Sequence, residues 1–166
     1  LLTDTNWKDV DYLIIDLPPG TGDVQLTLCQ KIPVSGAIIV TTPQDISLID
    51  ARKGLKMFEK VEVPVLGIVE NMSTHVCKKC GHIESIFGEG GGEQLASEAG
   101  VKLLGELPLE KQIREEMDKG TPTVSSNPMD PASLAYRDIA RKMTATLSMR
   151  KKDYSSAFPK IVIQND

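Results

Sequence analysis

The chain has 166 residues, 40% of them apolar and 25% charged, with a formal net charge of −4. That length supports one domain with a sizeable core, and the acidic balance supplies no basic footprint for nucleic acid or an anionic membrane. No apolar run is long enough to span a bilayer and no signal-peptide pattern opens the chain; three cysteines, two of them close together, suit a reducing compartment such as the cytoplasm and a metal or redox site better than a disulfide framework.

Residues 1–11 are polar and read as a helix end plus a connector. Tyr12-Leu13-Ile14-Ile15 is an almost uninterrupted apolar run ending in Asp16, the pattern of a strand buried on both faces of a parallel sheet. Pro18 and Pro19 forbid further pairing, Gly20 and Gly22 open the backbone, and a new apolar period begins at Val24. The segment therefore reads as strand, tight loop, helix. Val24, Leu26, Leu28 and Cys29 are the apolar members of that helix, which Pro33 breaks. Residues 36–42 form a second buried strand ended by Pro43, and Asp45 or Ser47 is expected to cap the helix after it. That helix carries Leu48, Ala51, Leu55 and Phe58 on one face. Residues 65–69 form a third strand closing with Glu70-Asn71.

Residues 72–92 differ in character, being polar and glycine-rich and holding two cysteines and both histidines. An excursion this long in a compact domain is usually functional or disordered. Gly88-Glu89-Gly90-Gly91-Gly92 has no strand directly before it and no Lys-Ser/Thr after it, so it reads as a flexible hinge rather than a phosphate loop. A helix over 93–99 ends at Gly100, a strand over 101–107 stops at Pro108, and a helix over 110–119 ends at Gly120. After an irregular crossing over 121–131, a last helix over 131–149 is opened by Pro131 and closed by Arg150, Lys151 and Lys152. The division is then one α/β unit over 1–149, with a cysteine-bearing loop at about 72–92, and a tail over 150–166.

Strands alternating with helices imply a parallel sheet whose strand exits share one edge. Asp16, Thr42-Pro43, Asn71 and Pro108 then gather where α/β sheets bind ligands. The amides of Gly20, Thr21, Gly22 and Asp23 lie at a helix start, where N–H groups attract phosphate. A carboxylate beside a phosphate needs a cation between them, which suggests Mg²⁺ with Asp16. Asn71 offers both a donor and an acceptor, matching the edge of adenine, although Asn after a strand also builds turns.

Cys77-Lys78-Lys79-Cys80 is the sharpest local signal, two thiols that can grip one soft metal or cluster, with Gly81 allowing a tight backbone. Two ligands do not close a tetrahedral site or a [4Fe–4S] cluster, so the others are expected from a second copy in a symmetric dimer. The alternatives are a half zinc knuckle completed by His75 or His82, with the chain a zinc-binding interaction module, and a dithiol redox pair. Cys29 reads as a buried thiol.

The 12–23 stretch closely resembles the switch II segment of the Mrp/ApbC family, deviant-Walker P-loop ATPases that carry iron–sulfur clusters. The resemblance runs from Trp7 to the tail and includes Thr41-Thr42-Pro43-Gln44, Glu70-Asn71-Met72-Ser73, the Cys77/Cys80 pair and the run Gly88 to Gly92. It implies a P-loop NTPase-like three-layer α/β fold and a carrier that passes a [4Fe–4S] cluster, bridged between two subunits, to apo iron–sulfur proteins. It further implies coupling to ATP and Mg²⁺, with Asp16 the catalytic carboxylate, Pro18, Pro19, Gly20, Thr21, Gly22 and Asp23 at the nucleotide, and Asn71 and Pro108 at the base. No Gly-x-x-x-x-Gly-Lys-Ser/Thr stretch is present in the chain. The family carries that loop upstream of switch II, so the sequence is expected to be a C-terminal part that does not turn over ATP alone. A partitioning or septum-site ATPase of the ParA/MinD type is the alternative within the superfamily.

Overall fold

The computed structural model describes residues 4–18, 20 and 22–150. Helix α1 (Asp23–Lys31) leads into strand β1 (Ala37–Thr41), α2 (Asp45–Lys60) and β2 (Val65–Glu70). A small excursion, β3 (His75–Val76) and β4 (Ile83–Glu84), precedes α3 (Gly91–Ala99), β5 (Leu103–Glu106), α4 (Lys111–Asp118), α5 (Thr123–Ser126) and α6 (Pro131–Ser148). Strands β1, β2 and β5 form a parallel sheet in the order β1-β2-β5, while β3 and β4 pair antiparallel by themselves.

Side chains of a strand alternate between the two faces of a sheet, and β2 follows that period. Ile68 is fully buried in a core shared with α2 and α3 through Leu48, Phe58 and Leu95. Its neighbour Val69 points the other way, into a second core where Leu104 and Leu107 meet Ile139 and Met143 of α6. The next residue, Glu70, returns to the first face, so its carboxylate is driven inward rather than into solvent. Helix α6 opens as its sequence suggests, with the Asp130 side chain accepting from Ala132 N–H at 2.9 Å and proline in the first turn. Ser133, fully buried, donates to the carbonyls of Asn127 at 2.7 Å and Thr123 at 3.0 Å, binding α5 to α6.

Several expectations are corrected. Residues 12–16 form no strand: they belong to none of the described sheets, with Tyr12 54%, Leu13 44% and Ile14 72% exposed. Apolar sequence supplies the preference for a strand, but a strand exists only beside a hydrogen-bonded partner, and none of the described strands takes that place. Residues 4–11 hold turns rather than a helix end. Neither Asp45 nor Ser47 caps α2; Gln44 occupies the cap position with no side-chain bond, and the Ser47 hydroxyl accepts from Thr42 Oγ1 at 2.8 Å. Nor is the whole glycine run a hinge. Gly91 and Gly92 are buried, and a Cβ on Gly92 would lie 2.9 Å from the Glu70 Cβ. These glycines permit close packing. The expected tail lies outside the described residues apart from Arg150.

Candidate functional site

The three parallel strands end in register, with Thr41 opposite Glu70 and Glu70 opposite Glu106. Backbone bonds then weld their exits: Asn71 N–H donates to the Thr41 carbonyl at 2.7 Å and Leu107 N–H to the Glu70 carbonyl at 2.8 Å. Thr42, Asn71 and Pro108 thus share one edge, as expected. Asp16 does not join this bonded set and is exposed. Asn71 spends part of its amide locally, its Oδ1 accepting from Met72 N–H at 3.0 Å while Met72 adopts φ 58°. The turn-building role is therefore realised; the two N–H donors of the Asn71 side chain are the part suited to a ligand.

Pro18, Gly20, Gly22 and Asp23 are exposed at the entry to α1; Pro19 and Thr21 lie outside the described residues. Gln25, only 3% exposed, donates from Nε2 to the Pro18 carbonyl at 2.9 Å and the Gly20 carbonyl at 3.2 Å. Both carbonyls are thereby drawn towards the helix. Sequence periodicity passes over Gln25 in favour of its apolar neighbours. The available signal was position: Gln25 is the third residue of the helix after Gly22, where a capping-box Gln reaches back towards the preceding loop.

Glu70 is the other residue that sequence reasoning missed. Its side chain is 1% exposed and accepts from the Gly92 backbone N–H at the start of α3. Burial pushes its carboxyl up, and Glu106 and Glu93 add to the effect against the Gly92 bond. The bond also joins the two ends of the 72–90 excursion, so β2 and α3 hold it like a clasp.

Within the excursion, Cys77 N–H donates to the His82 carbonyl at 2.9 Å and Gly81 N–H to the Cys77 carbonyl at 2.8 Å, closing a tight turn in which Gly81 has φ 72°. The N–H groups of Lys79 and Cys80 bond the Cys77 sulfur and, with the Cys80 side chain and nearby His75, hold its thiol below the ordinary cysteine range. A thiol favoured as thiolate is a better metal ligand. Cys80 is exposed and Cys77 half-buried. The base of the hairpin is fixed: Ser73 N–H donates to the Leu107 carbonyl at 3.0 Å, Leu109 N–H to the Thr74 carbonyl at 2.8 Å, and His75 Nδ1 to the Leu109 carbonyl at 2.9 Å. Because a carbonyl can only accept, His75 carries its proton on Nδ1 there. Among the described residues, no group of three or more His, Cys, Asp or Glu side chains converges on a metal position. Cys29 packs against the first core, where burial pushes its thiol up. Among the described residues, no helix is long and apolar enough to cross a membrane.

A family profile described as ParA, NUBPL iron-transfer P-loop NTPase, matches residues 1–144. The chain is 60% identical over 147 residues to the iron-sulfur cluster carrier protein of Escherichia coli K12, covering 89% of this chain and 40% of that protein. It is 51% identical over 147 residues to the iron-sulfur cluster transfer protein NUBPL of Mus musculus, covering 89% and 46%. Among solved structures, a nucleotide-binding protein of Archaeoglobus fulgidus in complex with ADP, with cobalt found, superposes with a TM-score of 0.65 at 37% identity over 77% of this chain and 51% of that one. The MinD cell division protein of Aquifex aeolicus, at 23% identity and a TM-score of 0.54 over 74% and 48%, shares the fold alone. The chain thus spans less than half the length of these two curated relatives. The chain belongs to the NUBPL iron-transfer P-loop NTPase family.

Proposed function

We propose that this chain is the cluster-bearing part of a cytoplasmic iron–sulfur cluster carrier that hands its cargo to apo iron–sulfur proteins. The observation that carries the reading is the Cys77–Cys80 turn, which presents two thiols with one of them biased towards thiolate. The names of the relatives in Escherichia coli and Mus musculus support the same reading. Cys77 and Cys80 each provide one ligand, and a second copy completes the four that a [4Fe–4S] cargo takes. Residues 1–149 work as one unit with the 72–92 excursion. Iron and sulfide analysis after anaerobic reconstitution tests this. Cys77→Ala or Cys80→Ala abolishes retention and Cys29→Ala does not. A cluster retained in both of the first two variants refutes the reading, and zinc without sulfide replaces it with a zinc module.

The sheet edge is the nucleotide side of the same carrier, a reading supported by the ADP named with the Archaeoglobus fulgidus structure. Asp16 acts with Mg²⁺, the 18–23 loop meets the phosphates, and Asn71 and Pro108 flank the base. ATP and Mg²⁺ at this edge supply a phosphoryl group and its charge neutralisation. Phosphoryl transfer also needs a lysine and a run of amides around the β- and γ-phosphates. Phosphate release by the 166-residue chain is expected at background. A longer chain carrying a Gly-x-x-x-x-Gly-Lys-Ser/Thr loop upstream should turn over ATP, and Asp16→Asn should slow it about tenfold or more without unfolding the sheet. Robust turnover by the short chain overturns this assignment.

A further inference from the structure

A cleft of about 450 Å³ opens between the cysteine turn and α4, lined by Lys78, Lys111, Gln112, Glu115, Glu116 and Lys119. Lys111, Glu115 and Lys119 stand in one row of the helix and Gln112 and Glu116 in the next, so one wholly polar face of α4 looks onto the turn. The carboxylates of that face are already engaged. Glu115 pairs with Lys111 at 2.9 Å. Glu116 turns towards α5: the Thr123 hydroxyl, the Gln112 amide and the Ser126 hydroxyl hold its carboxyl below the ordinary glutamate range. Gln112 spends both ends of its amide, donating from Nε2 to Glu116 at 2.9 Å and accepting from Lys78 Nζ at 3.4 Å. Two exposed ammonium groups are left over, on Lys78 and Lys119, and among the described residues neither has an ion-pair partner. Nor is Lys78 spent on the thiols. The groups that lower Cys77 are the N–H groups of Lys79 and Cys80, the Cys80 side chain and His75. A chain of net charge −4 thus keeps a local excess of positive charge beside its cysteine turn.

We propose that this cleft is where the protein that receives the cargo docks, through a cluster of carboxylates beside its own vacant site. The inference rests on the carrier reading above and names the surface chemistry of the partner. To take up the cargo, a recipient brings its ligands to what Cys77 and Cys80 hold, so its flanks settle on the residues around the turn. On the α4 side those residues are Lys78 and Lys119, with Lys78 steered into the cleft by Gln112. Carboxylates pair with ammonium groups at hydrogen-bond distance, whereas a basic flank would set like charges in contact. The rest of the chain, being acidic, repels an acidic partner over about a Debye length. An acidic recipient is therefore favoured in one orientation, the one that faces the turn.

The test needs no cargo, which separates it from the reading beneath it. The isotope-labelled 166-residue chain is titrated at low salt with an apo-ferredoxin of strongly negative net charge, and amide chemical shifts are followed. The amides of Lys78, Gln112 and Lys119 should move, and binding should weaken steeply with salt. Lys78→Glu/Lys119→Glu should raise the dissociation constant about tenfold or more. Lys56→Glu/Lys60→Glu, at exposed positions of α2, makes the same change of net charge and should raise it less than about twofold. Lys119→Glu alone lies outside the cysteine turn and should give part of the loss, whatever the double variant does to the turn. Equal losses in the two pairs would reduce the effect to net charge and overturn the proposal. So would an unchanged Lys119→Glu chain, or parent amides that stay still with the acidic protein. Parent amides that move as far with free citrate would overturn it too, and would give the cleft to a small anion. A parent chain that retains no iron or sulfide after reconstitution brings down the carrier reading itself, a result distinct from all of these.

Discussion

Replacing Gly92 with alanine probes the clasp between β2 and α3. The added Cβ would sit 2.9 Å from the Glu70 Cβ, 3.0 Å from Glu70 Oε2 and 3.3 Å from Leu103 Cδ1. The first of these atoms is next to the backbone of a central strand and cannot swing aside, so the start of α3 must retreat. Overpacking of that kind costs about 1–3 kcal/mol. Retreat also weakens the Gly92 N–H bond to a buried carboxylate, about 1–3 kcal/mol more. Alanine returns up to about 1 kcal/mol through helix preference, which leaves a net loss of about 3 kcal/mol. For a chain of this size, that lowers the melting temperature by roughly 6–12 °C. Gly54→Ala in α2 is the matched comparison, because its Cβ would meet only Ile39 Cδ1 at an ordinary 3.5 Å. There the helix term is unopposed, and stability should rise by about 0.5–1 kcal/mol. Urea unfolding of the two variants beside the parent reads both signs. A Gly92→Ala chain within about 0.5 kcal/mol of the parent would refute the packing of α3 on Glu70.

Glu70→Gln keeps an oxygen for Gly92 N–H but removes a carboxyl that burial has pushed up. The parent loses stability as pH rises from about 4.3, the ordinary glutamate value, through the raised folded value, because the native state holds that proton more tightly. The variant should therefore be the more stable at pH 7, with the gap closing in acid; urea midpoints from pH 4 to 8 that show a constant gap would contradict this. Alkylation by iodoacetamide should mark Cys77 well before Cys29, the first thiol being lowered by the Lys79 and Cys80 N–H groups and the second raised by burial. The rate at Cys77 should reach half its maximum below about pH 8.5, and peptide mapping that finds Cys29 labelled equally fast would sink the assignment.

The sequence made some of this plain because the signals were local. Pro43 and Pro108 marked two strand exits, Gly100 and Gly120 closed helices with φ 64° and 71°, and the Cys77–Cys80 spacing before Gly81 marked a tight turn. Residues 12–16 misled because an apolar run states what a segment would bury, not whether a partner is beside it. Glu70 was hidden for a related reason: its inward direction follows from strand register, and its acceptance from Gly92 joins residues 22 apart in sequence. Gln25 was obscured by the apolar residues around it, since a hydrophobic period assigns no role to a buried amide.

Two strands of two residues each are too short to stand as an independent hairpin in water. Their order is borrowed from Leu107 and Leu109 at the base and from the Glu70–Gly92 bond behind. In a zinc finger the metal's binding energy is consumed in folding the chain, so removing the metal dissolves the site. Here the conformational entropy of the turn is already lost when the sheet forms. On the proposed carrier reading, loading and unloading at Cys77 and Cys80 would proceed by ligand exchange on a standing frame, with no refolding step between one delivery and the next. On that reading an emptied chain stays in the shape that receives its next load.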